Sequence, residues 1–486
     1  MPPPDGVGPG RMSAGAPTRC DPGAGGFLMV NPMFVHDQRM TELVFAYCRE
    51  RLALDPVPLD FGGDQESFDA VLSGLLGESG NDPAEVLRLF AEHLATAVIS
   101  CDSPRFLSFI PAAPTKAALL FDMIVSCSSL QGTSWLEAAG AVAAENEVLR
   151  FLAALAGMPP GAGGCFVSGG SIANLSALVV ARDTAAMRLG RTPVRPHIAV
   201  SEETHASVGN ALRILGVEAM VVPSADHRLT GAALREALAA RDGAAGATDA
   251  GDVIGVVATA GTTNAGIIDD LAGVAAVARE QSLWFHVDAA YGGAGLFAPV
   301  VRDRYAGIEH ADSVVIDPHK WLYAPFDCAA LVYREPRLAK AVHAQEASYL
   351  DVIHDKDHEV WNPSDYAVHL TRRARGLPLW FSLAVHGAGA YRDAIETVLD
   401  TAWRSAELIR RSPHLELVRD PELSIVLFRR TGWTSADYHE WSVRLLDRQI
   451  GFVTPTSWDG EPAARLAFLH PGTTVEMIEE IIATTA

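Results

Sequence analysis

Apolar positions change their period along this chain, and each change predicts a different architecture. Over residues 27–115 they recur at three- and four-residue spacing, as in MTELVFAYCRERL and AEVLRLFAEHLATAVI, between Pro/Gly breaks. That spacing predicts a helical N-terminal region. Over 116–378, helical segments alternate with short apolar runs: GCFV, HIAV, AMVV, VIGVVAT, LWFHVD, SVVI and AALVY. Strands covered on both faces read as near-continuous apolar runs, so this stretch predicts an α/β domain with a mostly parallel central sheet and helices on both faces. The remainder, 379–486, continues from a helical stretch into strands LELVRD and SIVLFRR, helix SADYHEWSVRLLDRQ, strands GFVTPT and ARLAFLH, and helix TVEMIEEIIATT. It predicts a small α+β domain. Residues 1–26 are rich in Gly, Pro and Ala without any period and are expected to form a disordered leader.

Composition narrows the function classes. At 486 residues, with 49% hydrophobic and 20% charged, the chain can bury a large core. A net charge of −21 and the absence of any basic stripe argue against nucleic acid or an anionic membrane as partner. No apolar run reaches the roughly 18 residues that span a bilayer, and the N-terminus lacks a signal-peptide layout, so the expected compartment is the cytoplasm. Six cysteines without a C-x-x-C pair predict free thiols, mostly in the core. Of 38 basic residues only Lys116, Lys320, Lys340 and Lys356 are lysine. Arginine keeps its proton, so these four are where a free amine could act.

Three short motifs carry chemistry. In CFVSGGSIANL a strand reaches Ser168–Ser171 and a helix begins with Asn174 in its first turn. Free N–H groups there, with Gly169, Gly170 and the Ser171 hydroxyl, form a candidate oxyanion site, although a strand-to-helix turn with a serine cap has the same sequence. Neither G-x-G-x-x-G nor G-K-[ST] follows, which counts against dinucleotide and P-loop chemistry. Asp288 closes the apolar strand LWFHVD and needs a partner for its buried carboxylate, such as a cationic ring nitrogen. Lys320 follows the strand SVVI, 32 residues later. Apolar surroundings would lower its pKa and fit it for a Schiff base with an aldehyde.

An anion site, a buried carboxylate and a strand-end lysine match the phosphate, ring nitrogen and aldehyde of pyridoxal 5′-phosphate. With DPHKW, HVDAAYGG, GTTNAGIIDDL and SGGSIANL in this order, the chain resembles the group II pyridoxal-dependent amino-acid decarboxylases, from about Ser103 to beyond Arg375. The resemblance implies the fold-type-I (aspartate-aminotransferase-like) architecture and a homodimer with its active site at the subunit interface. It implies that Lys320 binds the cofactor covalently, Asp288 protonates the ring nitrogen, and His205 stacks on the ring. It places Gly170, Ser171 and either Asp317 or Ser313 at the phosphate, His319 beside Lys320, and Thr263 and Ala290 beside the ring. An aspartate would repel a phosphate, so Asp317 is expected to orient the His319–Lys320 turn instead.

The same resemblance makes Tyr349, in a mobile loop, the acid that protonates the substrate carbon after carbon dioxide leaves. It assigns the substrate pocket to Phe109 and Ile110, with Gln131 and Thr133 supplied by a partner subunit. Gln131 and Thr133 replace the bulky apolar residues of aromatic-amino-acid decarboxylases, and neither pocket segment holds a cation. A neutral aromatic or branched aliphatic L-amino acid is therefore the expected substrate. An acidic or diamino substrate, aldehyde synthesis and transamination are the alternatives within enzymes; a non-catalytic cofactor-binding regulator is the alternative outside them. His354, Asp355, Asp357 and His358 cluster in the Tyr349 loop without metal-ligand spacing, so no metal site is expected.

Overall fold

The computed structural model describes residues 31–244, 251–348, 350–354 and 360–486. The expected leader, Tyr349, and the loop residues Asp355, Asp357 and His358 lie outside them. Three N-terminal helices, α1 (Gln38–Leu52), α2 (Gln65–Leu72) and α3 (Pro83–Leu89), start on the side chains of Asp37, Asp64 and Asp82, which accept hydrogen bonds from first-turn amides. None of the three contains a fully buried residue. Helical expectation fails beyond residue 94: Pro104, Pro111 and Pro114 interrupt it, and Phe106 instead bridges to Phe452 near the C-terminus.

Helices α4 (Lys116–Cys127) and α5 (Trp135–Leu155) lead into a seven-stranded sheet. Its strands are β1 (Gly163–Val167), β2 (His197–Ser201), β3 (Glu218–Val222), β4 (Val253–Thr259), β5 (Trp284–Asp288), β6 (Ser313–Ile316) and β7 (Ala329–Tyr333). Their order is β1-β7-β6-β5-β4-β2-β3, parallel except for β7, which runs antiparallel to both neighbours. Helices α6 (Gly170–Leu189), α7 (Ala206–Leu215), α8 (Gly231–Ala244), α9 (Leu271–Glu280) and α10 (Pro336–His343) connect and cover them.

Side chains alternate between the two cores. Ala330 and Val332 of β7 pack on the α5 side, while Ala329, Leu331 and Tyr333 pack with α6 and α10. Every residue of β1, β2, β5, β6 and β7 is buried, which explains their unbroken apolar runs.

Helix α11 (Leu377–Arg411), interrupted at Gly387, leads to a four-stranded antiparallel sheet of order β10-β11-β9-β8. Its strands are β8 (Leu415–Leu417), β9 (Ile425–Arg430), β10 (Pro455–Trp458) and β11 (Glu461–Ala467), with α12 (Ser435–Asp447) and α13 (Val475–Ala483). The β10–β11 pair lies later in GFVTPT and earlier in ARLAFLH than the apolar pattern predicts. Asp459 and Gly460, at φ 53° and 77°, form a two-residue hairpin turn that pulls both strands toward it. Cys165 and Cys328 are buried, but Cys48 and Cys101 are half-buried and Cys127 is exposed, so the thiols are less internal than expected. No described helix is long and apolar enough to cross a membrane.

Candidate active site

A parallel sheet presents the carboxyl ends of its strands along one edge, and the loops leaving that edge converge. Here they enclose a cavity of about 320 Å³. Asp288 and Thr259 are the last residues of β5 and β4, and Gly169–Ser171 lead from β1 into α6. His205 caps α7 just beyond β2, and the turn after β6 carries Asp317, His319 and Lys320. All of these line the cavity, as do Thr263 and Ala290. The topology thus gathers residues from five separate stretches of sequence.

Lys320 Nζ lies 2.9 Å from Asp317 Oδ2, and the Lys320 backbone N–H donates to the Asp317 carbonyl at 2.9 Å. Burial disfavours the ammonium, but the Asp317 and Asp288 carboxylates outweigh it and raise the lysine's pKa above its ordinary value. This corrects the expectation of a lowered pKa, which considered apolar surroundings without two buried anions. Asp317 Oδ2 also accepts the Gly170 N–H at 3.1 Å and stands 3.5 Å from His319 Nε2. His319 Nδ1 accepts the Cys328 N–H at 2.9 Å, and burial lowers its pKa although Asp317 opposes this. Asp317 therefore ties the turn together, as expected.

The Asp288 carboxylate is buried, and each oxygen accepts one neutral donor: Asn174 Nδ2 at 2.8 Å and the Ala290 N–H at 3.1 Å. His205 is exposed on the cavity; its Nδ1 lies 2.8 Å from Ser207 Oγ and accepts the Ser207 N–H at 3.2 Å. Ser313 is a correction. It begins β6 rather than ending it, which at about 3.3 Å per residue puts it some 10 Å from the cavity edge. Its hydroxyl is engaged with Trp284 and His286.

The pocket residues are divided. Phe109 is 60% exposed, Ile110 is buried, and neither lines the cavity. Gln131 is exposed and bonded to Glu137 at 2.7 Å, Thr133 is buried, and both also lie off the cavity. Their segment is held elsewhere: Arg372 donates to the Gly132 carbonyl and pairs through both terminal nitrogens with buried Glu145, each at 2.7 Å. His354 bonds Asp365 at 3.1 Å.

Three contributors escaped sequence reading. Arg465 Nη2 donates to the carbonyls of Thr263 (2.7 Å) and Phe109 (3.3 Å), joining the small sheet to the cavity rim. Burial pushes its pKa down to about 10. Thr259 Oγ1 and Asp317 Oδ1 are buried without a hydrogen-bond partner among the described residues. Ser207, two positions after His205, was legible only as an ordinary first-turn serine.

These residues suit pyridoxal phosphate. Gly169, Gly170 and Ser171 line the cavity at the start of α6, where a phosphate could be received, the Asp288 carboxylate can meet a protonated ring nitrogen, and the Lys320 amine can meet an aldehyde. Gly170 leaves the close approach open, since a Cβ there would lie 2.9 Å from Asp317 Oδ2 and 3.3 Å from Ala290 Cβ. The unpartnered Thr259 hydroxyl offers a further donor.

Comparison with known proteins agrees. Residues 76–431 match the model of the pyridoxal-dependent decarboxylase conserved domain. The chain is 29% identical over 430 residues to an aromatic-L-amino-acid decarboxylase of Bacillus atrophaeus, covering 86% of this chain and 88% of the relative. It is 31% identical over 439 residues to the L-2,4-diaminobutyrate decarboxylase of Rhizobium meliloti (strain 1021), covering 88% and 83%. The solved structure of Oryza sativa TDC with PLP and tryptamine superposes with a TM-score of 0.84 at 25% identity, covering 95% of this chain and 99% of that one.

Proposed function

The chain belongs to the pyridoxal-dependent decarboxylase family, and from that membership we propose that its substrate is a neutral L-amino acid, aromatic or branched aliphatic. As a decarboxylase of this family it releases carbon dioxide and the corresponding amine, using pyridoxal phosphate. When bound, that cofactor withdraws electrons from the substrate's α-carbon.

The observation that carries the assignment of roles is one cavity holding Lys320, Asp288, His205 and the Gly169–Ser171 turn. Lys320 would hold the cofactor covalently through its amine. Asp288 keeps a proton on the ring nitrogen. His205 and Ala290 would hold the ring between them, with Thr263 beside it, and Gly170 and Ser171 would receive the phosphate. His319 and Asp317 fix the turn that aims Lys320. Tyr349 delivers the proton that takes the place of the departing carboxyl group. Among the described residues lining the cavity Lys320 is the only lysine or arginine, and Asp288 and Asp317 would repel an acidic side chain, which counts against an acidic substrate.

A second copy of the chain completes the pocket. Phe109 and Ile110 meet the substrate from one subunit, and Gln131 and Thr133 of the partner subunit meet it from the other. The apolar side chains that α1–α3 leave unburied support this, as do Phe34, Leu76 and Phe109 at 79%, 94% and 60% exposure. A dimeric mass in analytical ultracentrifugation is expected; a monomer with full activity would refute shared pockets.

The decisive experiment incubates cofactor-loaded protein with the common L-amino acids, ornithine and 2,4-diaminobutyrate, and identifies products by mass spectrometry. Amine from a neutral substrate, absent with Lys320→Ala, is the expected result. Amine from a diamino or acidic substrate would overturn the neutral class, and aldehyde or keto acid would overturn amine formation.

A further inference from the structure

Trp284, His286 and Asp288 alternate onto one face of β5, the face that α6 covers with Asn174. Ser313 is the β6 residue paired with His286. Together these side chains form an unbroken run of hydrogen bonds from the amino end of β5 to its carboxyl end. Trp284 Nε1 donates to Ser313 Oγ at 2.9 Å, and Ser313 Oγ meets His286 Nδ1 at 2.8 Å. His286 Nε2 meets Asn174 Oδ1 at 2.9 Å, and Asn174 Nδ2 donates to Asp288 Oδ2 at 2.8 Å. Every member is buried.

The direction of the run is fixed from both ends. An indole N–H can only donate, and an ionised carboxylate can only accept. With the Asn174 amino group facing Asp288, its carbonyl needs a donor, so His286 carries its proton on Nε2. His286 Nδ1 is then an acceptor and takes the Ser313 hydroxyl hydrogen, leaving Ser313 Oγ to accept from Trp284. Burial pushes the His286 pKa down to about 4 against the opposing Asp288 charge, so the ring holds one proton near neutrality.

The run also branches. Asn174 Nδ2 donates to Ser207 Oγ at 3.1 Å, and Ser207 Oγ meets His205 Nδ1 at 2.8 Å, where the Ser207 N–H also points. One amide group thus reaches both Asp288 and His205. We propose that Asn174 is a positioning residue that orients Asp288 and His205 together, and that Trp284, Ser313 and His286 hold its amide in the one orientation that does so. This rests on the reading that Asp288 meets the ring nitrogen and His205 the ring face. A reversed Asn174 amide would put two acceptors together at Asp288 and leave the His286 N–H facing a donor.

The test has two arms. In the cofactor-free wild-type protein, ¹⁵N NMR of labelled histidine is expected to find His286 as the Nε2–H tautomer; the Nδ1–H tautomer would overturn the donor run whatever the reaction is. In the cofactor-loaded protein, Asn174→Ala is expected to lower kcat by about 10²-fold with little change in KM, since a small misplacement of reacting groups costs that much. It should also alter the visible circular dichroism of the bound cofactor and the pH at which its absorption changes. Ser207→Ala, which cuts only the His205 branch, should change the dichroism but leave that pH in place. If both variants keep the wild-type spectrum, pH titration and kcat, with only thermal stability lowered, Asn174 is a packing residue and the proposal falls. A wild-type protein that never forms a lysine-bound chromophore would instead sink the underlying cofactor reading, with the tautomer result still standing on its own.

Discussion

The floor and the rim of the cavity are built on opposite terms. Beneath it, Asp288, Asn174, His286, Ser313 and Trp284 satisfy one another at 2.8–2.9 Å, with no ion pair to the carboxylate among the described residues. At the rim, Asp317 pairs with Lys320 through one oxygen while its other oxygen and the Thr259 hydroxyl are buried without a partner among the described residues. A satisfied buried network holds its geometry without a ligand, whereas buried groups without a protein partner keep hydrogen-bonding capacity that a ligand can use. The floor is therefore preorganised, and the rim gains from binding.

Lys320→Ala should separate the two most strongly. Activity is expected to fall by about 10³-fold or more, because a covalent and a proton-carrying group are lost together, and borohydride should no longer fix the cofactor to the chain. The melting temperature of the cofactor-free protein, measured beside it, should change far less, since the floor is untouched. Comparable losses in both would erase the distinction.

The floor should also reveal itself in pH. The His286 pKa falls from 6.5 unfolded to about 4 folded, so its contribution is complete above pH 6.5 and is lost as the pH drops from 6.5 toward 4. In that window the unfolded chain binds the extra proton. The loss is on the order of 3 kcal/mol, at about 1.4 kcal/mol per pKa unit. Denaturant titrations of wild type and His286→Gln from pH 7 to 4 should diverge, with the variant flatter; parallel curves would mean that His286 titrates in the fold as it does in the unfolded chain.

A paired substitution sharpens the comparison at smaller scale. Ser313→Ala strips Trp284 Nε1 of its acceptor and His286 Nδ1 of its donor, and should cost the cofactor-free protein about 1–3 kcal/mol. Thr259→Val removes a hydroxyl that bonds none of the described residues, and should shift that stability by about 0.5 kcal/mol or less while weakening cofactor binding. Equal destabilisation by the two would show that floor and rim do not differ.

Strand-end logic explains why Lys320 and Asp288 could be read from sequence. Each follows an apolar run whose length and period leave no choice about which edge it reaches. The same logic misplaces Ser313 when a motif is matched without asking which end of SVVI it occupies. His286 and Asn174 lie inside the quoted motifs, yet nothing in spacing alone says that an amide on a helix meets an imidazole on a strand 112 residues away. Arg465 was invisible for a similar reason, since its bonds are to backbone carbonyls, which any sequence provides.

By itself the sequence determined the alternation of helices with buried strands, the edge at which Lys320, Asp288 and the Gly169–Ser171 turn emerge, and through its motifs the family. These follow from local period and from residue types whose chemistry is the same wherever they sit. Only the tertiary structure decided the strand order, the charge on Lys320 and the direction of the hydrogen bonds beneath Asp288. Each of those depends on what stands within about 3 Å across the fold, where Asp317 rather than an apolar wall meets the lysine and a neutral amide rather than an arginine meets the aspartate.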